Sequence, residues 1–521
     1  MSKPGIFTTS DGKNHFITFA LVSSLFLLWG FCNGMIDVMD KHFQQELHLT
    51  LAQSAWVQFA HYLGYFLMAM PAGWLASRLG YKGGIIAGLL MVAVGGFWFI
   101  PATKIATFPA FLLGVCVIAS GLTFLETVAN PYSTVLGPKR YAATRINLAQ
   151  SCNGIGWIFG PIAGAAFFYG KDASGQSTGS ETLWIPYAAI GGFVLVLAVI
   201  FSFCKLPDIK SEDEFHLDDA SPAGDSPVAN RGVAMGLLWL NIVVLSVAVG
   251  MIVSAVVAIP SVGKSLGLTE GQALWSASGV LLAIGTVVFA RKNRGISNHS
   301  IWSHPHFSGA TLTQFFYVAA QCGVFAYFIN YMTSQIPAVP DAWKAGSFGN
   351  WFEIHKNGVL GLSDKGASTL ASVGFIFFLA GRFIGAGLLK KFPAHKVLGV
   401  FAIAAAACSL TVLLKLGWAS AVALFLSYFF MSIMFPTIFS LGIHGLGSRA
   451  KNASSFIVMA IMGGAIMPKL MGHIADTSKD GMSAGFIVPL VCFIWVAAYG
   501  LFWSRLSGSE GVLGVDATKG H

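Results

Sequence analysis

Long apolar runs separated by short polar turns dominate the chain. Twelve of them form two sets of six, at 16–39, 53–76, 83–102, 108–131, 146–169 and 184–205, then 308–333, 366–389, 396–415, 418–443, 449–472 and 486–505. Each approaches the length of about 20 residues that carries a helix across a hydrocarbon core. Two further apolar runs, 236–262 and 272–290, lie between the sets. The pattern predicts an all-α polytopic membrane protein: two six-helix halves plus two extra central helices, 14 spans in all. The run at 16–39 is too long for the apolar region of a cleavable signal and lacks a small-residue cleavage site, so it reads as the first span.

This divides the chain into an N-terminal half (1–205), a connector (206–235), the extra helices with a basic loop (236–307) and a C-terminal half with its tail (308–521). The connector is acidic and poor in large apolar residues, a composition expected to stay mobile. Loops on one side hold Arg78, Lys82, Lys139, Arg140, Arg145, Lys390, Lys391, Lys396, Arg449 and Lys451. Basic loops stay cytoplasmic, which places both termini inside a cell (inner) membrane. The opposite loop at 334–365 is long and aromatic, with Trp343, Phe348, Trp351 and Phe352, and suits either a lid or a fixed decoration.

The two sets of spans are related. Pro131 is followed by Leu136-Gly137 and, sixteen residues on, by Asn147; Pro436 is followed by Leu441-Gly442 and, sixteen residues on, by Asn452. Gly73-x-Leu75 with Lys82 is echoed by Gly387-x-Leu389 with Lys396. Two homologous six-helix halves are the plan of the major facilitator superfamily, in which substrate binds between the halves near the midplane. The loop from Gly73 to Lys82, GWLASRLGYK, is similar to that superfamily's G-x-L-a-D-R-x-G-R-K signature, with Ser77 at the usual acid and Tyr81 at the second Arg.

Composition narrows the class. The chain is 55% hydrophobic and 10% charged, with mean hydropathy +0.70, which excludes a large water-soluble protein. The net charge of +9 sits in short loops rather than in a basic arm, so no nucleic-acid partner is expected. The seven cysteines are scattered through apolar segments without a C-x-x-C, and no metal site is expected. There is no H-E-x-x-H, phosphate loop or paired nucleophile and base, so an enzyme is not expected either.

The informative residues are polar ones inside spans. An ionised carboxylate at the bilayer centre costs at least ~2.5–3.5 kcal/mol, so it is kept by a wet cavity, a partner or a proton. Asp37 falls in the outer half of span one and Glu126 in the inner half of span four, depths that suit sequential protonation better than a shared metal. Arg382 lies well inside a span and suits pairing a carboxylate, binding substrate hydroxyls or packing between helices; His61 is within reach of a cavity by depth, and a satisfied packing histidine is the expected reading. Asn33 shares a helix face with Asp37, Gln150 with Asn153, and Gln314, Tyr317 and Gln321 form a stripe. Neutral amides beside aromatics such as Trp29 and Tyr317 suit a sugar, whose hydroxyls need directed hydrogen bonds and whose C–H face stacks on rings.

At these residues the chain resembles the fucose–galactose–glucose:proton symporter family of the major facilitator superfamily. The matching stretches are SLFLLWGFCNGMIDVMDKHFQQ, GYFLMAMPAGWLASRLGYKGGIIAGL, FLETVANPYSTVLGP, RINLAQSCNG, MSIMFPTIFSLGI and SSFIVMAIMGGAIMP. The resemblance implies cavity acids at Asp37 and Glu126 and sugar-contacting amides at Gln150 and Asn153. It implies symport of a proton with a monosaccharide such as L-fucose, galactose, glucose or N-acetylglucosamine, by alternating access, with the proton as coupling ion and no other cofactor. Fucose symporters commonly carry Asn three residues before the first acid and another Asn beside it; here Gly34 and Ile36 stand there. A facilitator or sodium symporter is the competing transport reading, and a sugar-sensing receptor on the same scaffold is the reading from another class. The expected working unit is a monomer in the bilayer.

Overall fold

The computed structural model describes residues 5–9, 12–46, 56–168, 184–204, 206, 231–257, 260–294, 296, 300–346, 349–354 and 359–507. In the N-terminal half α1 is Phe16–Glu46, α2 Trp56–Ile105, α3 Phe108–Val135, α4 Ala142–Phe168 and α5 Trp184–Phe203. The extra pair is α6, Arg231–Val257, and α7, Glu270–Arg294. In the C-terminal half α8 is Pro305–Ser334, α9 Asp364–Leu389, α10 Ala394–Leu413, α11 Trp418–Met431, α12 Met434–Gly442, α13 Ala450–Met459, α14 Gly463–Thr477 and α15 Ile487–Ser507. Most of the 206–235 connector lies outside the described residues.

Among the described residues, 12 helices are long and apolar enough to cross a membrane. One is α2, whose 50 residues would measure about 75 Å, more than twice a hydrocarbon core. It is two helices joined at Gly80, whose φ of 72° and ψ of −177° belong to backbone that only glycine adopts readily. The break falls inside the GWLASRLGYK loop, so the signature glycine makes the turn between spans two and three. Helix α4, 27 residues long, lies outside those 12.

The helices pack where the sequence makes them thin. A Cβ on Gly30 would stand 2.1 Å from the carbonyl of Asn153, and one on Gly156 would stand 2.3 Å from that of Leu27. Glycine at both positions lets α1 and α4 touch backbone to backbone, which sets Asn33 and Asn153 on neighbouring surfaces. Arg145, one of the basic loop residues of the sequence reading, is in fact fully buried at the start of α4. Its guanidinium donates to the carbonyls of Ser133, Thr134, Gly137, Pro138 and Ile6. It thus satisfies the open carbonyls at the end of α3 and fastens the N-terminal segment to them.

The aromatic loop before α9 is ordered where it is described. Strands β1 (Phe352–Ile354) and β2 (Leu360–Leu362) pair antiparallel, Phe352 opposite Leu362, a small hairpin absent from the all-α expectation. Trp343 packs against Phe352 and Trp418 with ring centroids 5.8 and 5.9 Å away, which ties the loop to the start of α11.

Candidate functional site between the halves

The helices of the two halves meet along α2, α3 and α4 on one side and α9, α12 and α13 on the other. Depth follows from counting residues at 1.5 Å each. Gln150 is roughly 12 Å from the start of α4, and Arg382 roughly 10 Å from the end of α9, both measured from the membrane face that carries the connector.

Glu126, on α3, is buried, and neither carboxylate oxygen has a hydrogen-bond partner among the described residues. Tyr65, Asn130 and Arg382 are its polar and charged neighbours. The Tyr65 hydroxyl accepts a hydrogen bond from the Trp29 indole. Asn33 is buried and donates to the Trp29 carbonyl at 3.0 Å, so α1 supplies a Trp29–Asn33 pair against α2. His61 is buried with its ring 5.1 Å from that of Tyr65, and its Nδ1 has no hydrogen-bond partner among the described residues. Asp37 lies on α1, and its side chain falls outside the described residues.

Gln150 is the centre of the amide group. Its side-chain nitrogen donates to Asn130 Oδ1 at 3.1 Å, and its Oε1 accepts from Asn153 Nδ2 at 2.9 Å. Its main-chain carbonyl accepts from Arg382 Nη1, a bond that crosses from one half to the other. Arg382 is buried, donates through Nε to the Ser432 carbonyl at 3.0 Å, and lies over the Phe378 ring at 4.7 Å. Both carbonyl acceptors stand where the sequence offered a carboxylate or a sugar. Arg382 is therefore a bridge between the halves that also bears on Glu126 electrostatically.

The stripe on α8 divides. Gln314 is fully buried, and neither end of its amide has a hydrogen-bond partner among the described residues. Tyr317 is fully buried and spends its hydroxyl on the Met431 carbonyl at 2.9 Å, next to the break between α11 and α12. Gln321, a turn further on, is only partly buried. Asn130 was not singled out by the sequence reading; the available signal was its spacing, four residues after Glu126 on one helix face. Tyr65 had a similar signal, four residues after His61.

Several buried polar atoms at this interface have no hydrogen-bond partner among the described residues: both Glu126 oxygens, Thr127 Oγ1, Asn130 Nδ2, Asn147 Oδ1, Asn153 Oδ1 and the Gln314 amide. Buried polar groups are nearly always bonded. A cluster of unsatisfied ones is therefore suited to a polar molecule with many hydroxyls.

Two of the bonds that join the halves lie toward the connector face. Asn147 Nδ2 donates to Thr437 Oγ1 at 3.1 Å, and Ser454 Oγ donates to the Thr127 carbonyl at 2.8 Å. A Cβ on Gly73 would touch Ser455. Nearer mid-depth, Trp157 stacks on Phe375 at 5.7 Å, and Tyr62 hydrogen-bonds Cys322 at 2.9 Å.

The family model described as Major Facilitator Superfamily matches residues 16–332. The L-fucose-proton symporter of Escherichia coli K12 is 32% identical over 496 residues, covering 95% of each chain. The glucose/galactose transporter of Brucella abortus is 28% identical over 499 residues, covering 95% of this chain and 96% of that one. A crystal structure of a Major Facilitator Superfamily transporter in the outward conformation is 30% identical, with a TM-score of 0.65, covering 94% of this chain and 99% of that one.

Proposed function

The chain belongs to the Major Facilitator Superfamily, and we propose that it carries a monosaccharide inward together with a proton. The observation that carries this reading is the unsatisfied polar cluster around Glu126, Asn130, Gln150, Asn153 and Gln314 at the joint between two helix bundles. An acid set among neutral amides gives one group for the proton and several for hydroxyls. Relatives named for L-fucose, glucose and galactose support a monosaccharide of that size, with N-acetylglucosamine a further candidate.

In this reading Glu126 couples the proton to the sugar. Sugar and proton arrive together and leave when the inner face wets the site. Asp37, further toward the outer face on α1, takes the proton first. Gln150 and Asn153 hold hydroxyls, Asn33 and Gln314 extend the set, Tyr317 and Gln321 continue the wall, and Arg382 closes the halves over it. With the halves bonded on the connector side, the structure corresponds to a state closed to the cytoplasm. Counting α2 as two crossings and adding α4 gives 14 spans. In this reading both termini are cytoplasmic, the chain sits in the inner membrane and it acts as a monomer.

The test is uptake of labelled L-fucose, galactose, glucose and N-acetylglucosamine into proteoliposomes under an imposed inward proton gradient. Accumulation that collapses with a protonophore supports symport. Uptake that only equilibrates identifies a facilitator, and accumulation driven by sodium at fixed pH identifies a sodium symporter.

A further inference from the structure

The extra helices build a feature that transport of a sugar does not use. Helices α6 and α7, the first turns of α8 and the segment 456–462 enclose a cleft of about 320 Å³. Its wall is almost wholly apolar, with Leu238, Ile242, Leu245, Val288, Phe315 and Phe456. Of its polar side chains, Asn241 donates to the carbonyls of Leu237 and Ser308, both at 2.8 Å, and Thr311 donates to that of Phe307. Lys292 alone brings a charge to the wall.

Lys292 sits in the last turn of α7 with Arg291 and Arg294. Arg231, the first residue of α6, donates to the Asn293 carbonyl and so joins this turn. All four cations are exposed, and among the described residues none has an acidic partner within ion-pair distance. Residues 238–245 lie roughly 10–20 Å along α6 from Arg231. The cleft thus runs from a cationic mouth into hydrocarbon depth. Helix α7 also exposes Trp275 and Ile284, so its outer surface meets lipid.

A sugar does not fit such a wall, because its hydroxyls would be desolvated without partners. A peptide strand would leave backbone groups unsatisfied at that depth. A molecule with an apolar tail and an anionic head satisfies both ends, and basic pockets between membrane helices recognise such heads. We propose that the cleft is a binding site for an anionic phospholipid of the leaflet on the connector side. One acyl chain lies along Leu238, Ile242 and Leu245, and the phosphate rests between Lys292 and the neighbouring arginines.

The test uses the full chain purified in detergent, with dioleoyl-phosphatidylglycerol or dioleoyl-phosphatidylcholine added, and reads bound lipid by native mass spectrometry. Native protein retains the glycerol lipid in preference to the choline lipid. Each cation near the headgroup is worth about five-fold in affinity, so Lys292→Ala with Arg294→Ala lowers retention of the glycerol lipid about 25-fold. Leu245→Trp fills the cleft and reduces retention of both lipids; Val288→Phe does the same should the first variant fail to fold, with thermal unfolding as the control. Equal retention of the two lipids by native protein overturns the proposal. So does unchanged retention in the charge variant. Deletion of 211–225 that raises phosphatidylglycerol binding from nothing would put the acidic connector on these cations and also overturn it.

Discussion

Arg382→Met removes the one charged bridge between the halves that the structure resolves at the amide cluster. The guanidinium bonds across the interface to the Gln150 carbonyl and, at 3.5 Å, to Gln150 Oε1, and within its own half to the Ser432 carbonyl. Only the bonds to Gln150 are lost when the halves part, and the main one is that to its carbonyl. A hydrogen bond from a charged donor is worth about 1.5–3 kcal/mol net, which corresponds to a shift of about 10- to 150-fold in the ratio of closed to open forms. The acceptors are two backbone carbonyls and the uncharged Gln150 Oε1, so methionine leaves no charge orphaned, and its length fills the space beside Phe378. Spin labels at Leu79 and Lys391 stand on the connector face of the two halves, in the loops that follow the first arm of α2 and α9. Pulsed dipolar measurements should show one short distance in the native chain and a growing long-distance population in Arg382→Met. Arg382→Lys should fall between, since one ammonium reaches one carbonyl but lacks the fork. An unchanged distribution in the methionine variant, with the protein folded, would refute the bridging role.

Glu126→Gln should fold and exchange sugar across the membrane while losing accumulation. At one proton per sugar, a gradient of one pH unit supplies about 1.4 kcal/mol, or about tenfold accumulation; the variant should reach onefold in the same proteoliposomes, and tenfold in the variant would remove Glu126 from coupling. Gly80→Ala should cost about 1–3 kcal/mol, because alanine strains at φ 72° and ψ −177°. That is read as a lowered melting temperature in detergent, and an unshifted one would mean the turn relaxes elsewhere.

The architecture was legible because hydrocarbon imposes so few options. Runs such as 108–131 and 396–415 announce helices by length alone, and those helices are Phe108–Val135 and Ala394–Leu413. The repeat around Pro131 and Pro436 was legible because proline and glycine punctuate the same way in both halves. Partner choice was much less so. Gln150 and Asn153 were read as sharing a face, and they bond each other at 2.9 Å. Yet the two shorter bonds of Arg382 go to main-chain carbonyls, and every residue has one, so no side-chain pattern marks them. Arg145 misled for a related reason: its charge counts toward loop bias in a sequence, while its five donors are spent on carbonyls that only folding gathers. The Phe352–Ile354 hairpin is too short to show a strand period.

Gln150 ties the polar cluster to the motion of the halves. Its side chain bonds Asn130 and Asn153, and both its carbonyl and its Oε1 accept from Arg382 of the other half. A sugar hydroxyl that takes over the side-chain bonds exchanges interactions worth about 0.5–1.5 kcal/mol each, so the exchange is close to neutral unless the hydroxyls also reach Asn153 Oδ1 and Gln314. Those atoms belong to opposite halves, and a ligand that joins them favours the closed arrangement over the open one. A ligand shifts a conformational equilibrium only by its differential affinity for the two states. The same labels at Leu79 and Lys391 should therefore respond to transported sugar in the native chain. In Gln150→Ala the response should vanish even at sugar concentrations that restore occupancy. In Gln314→Ala binding should weaken, and the labels should stay where they are in the sugar-free protein. If Gln150→Ala lowered affinity but kept the full change in distance at saturation, the amides would bind sugar without taking part in closure, and Arg382 alone would have to carry it.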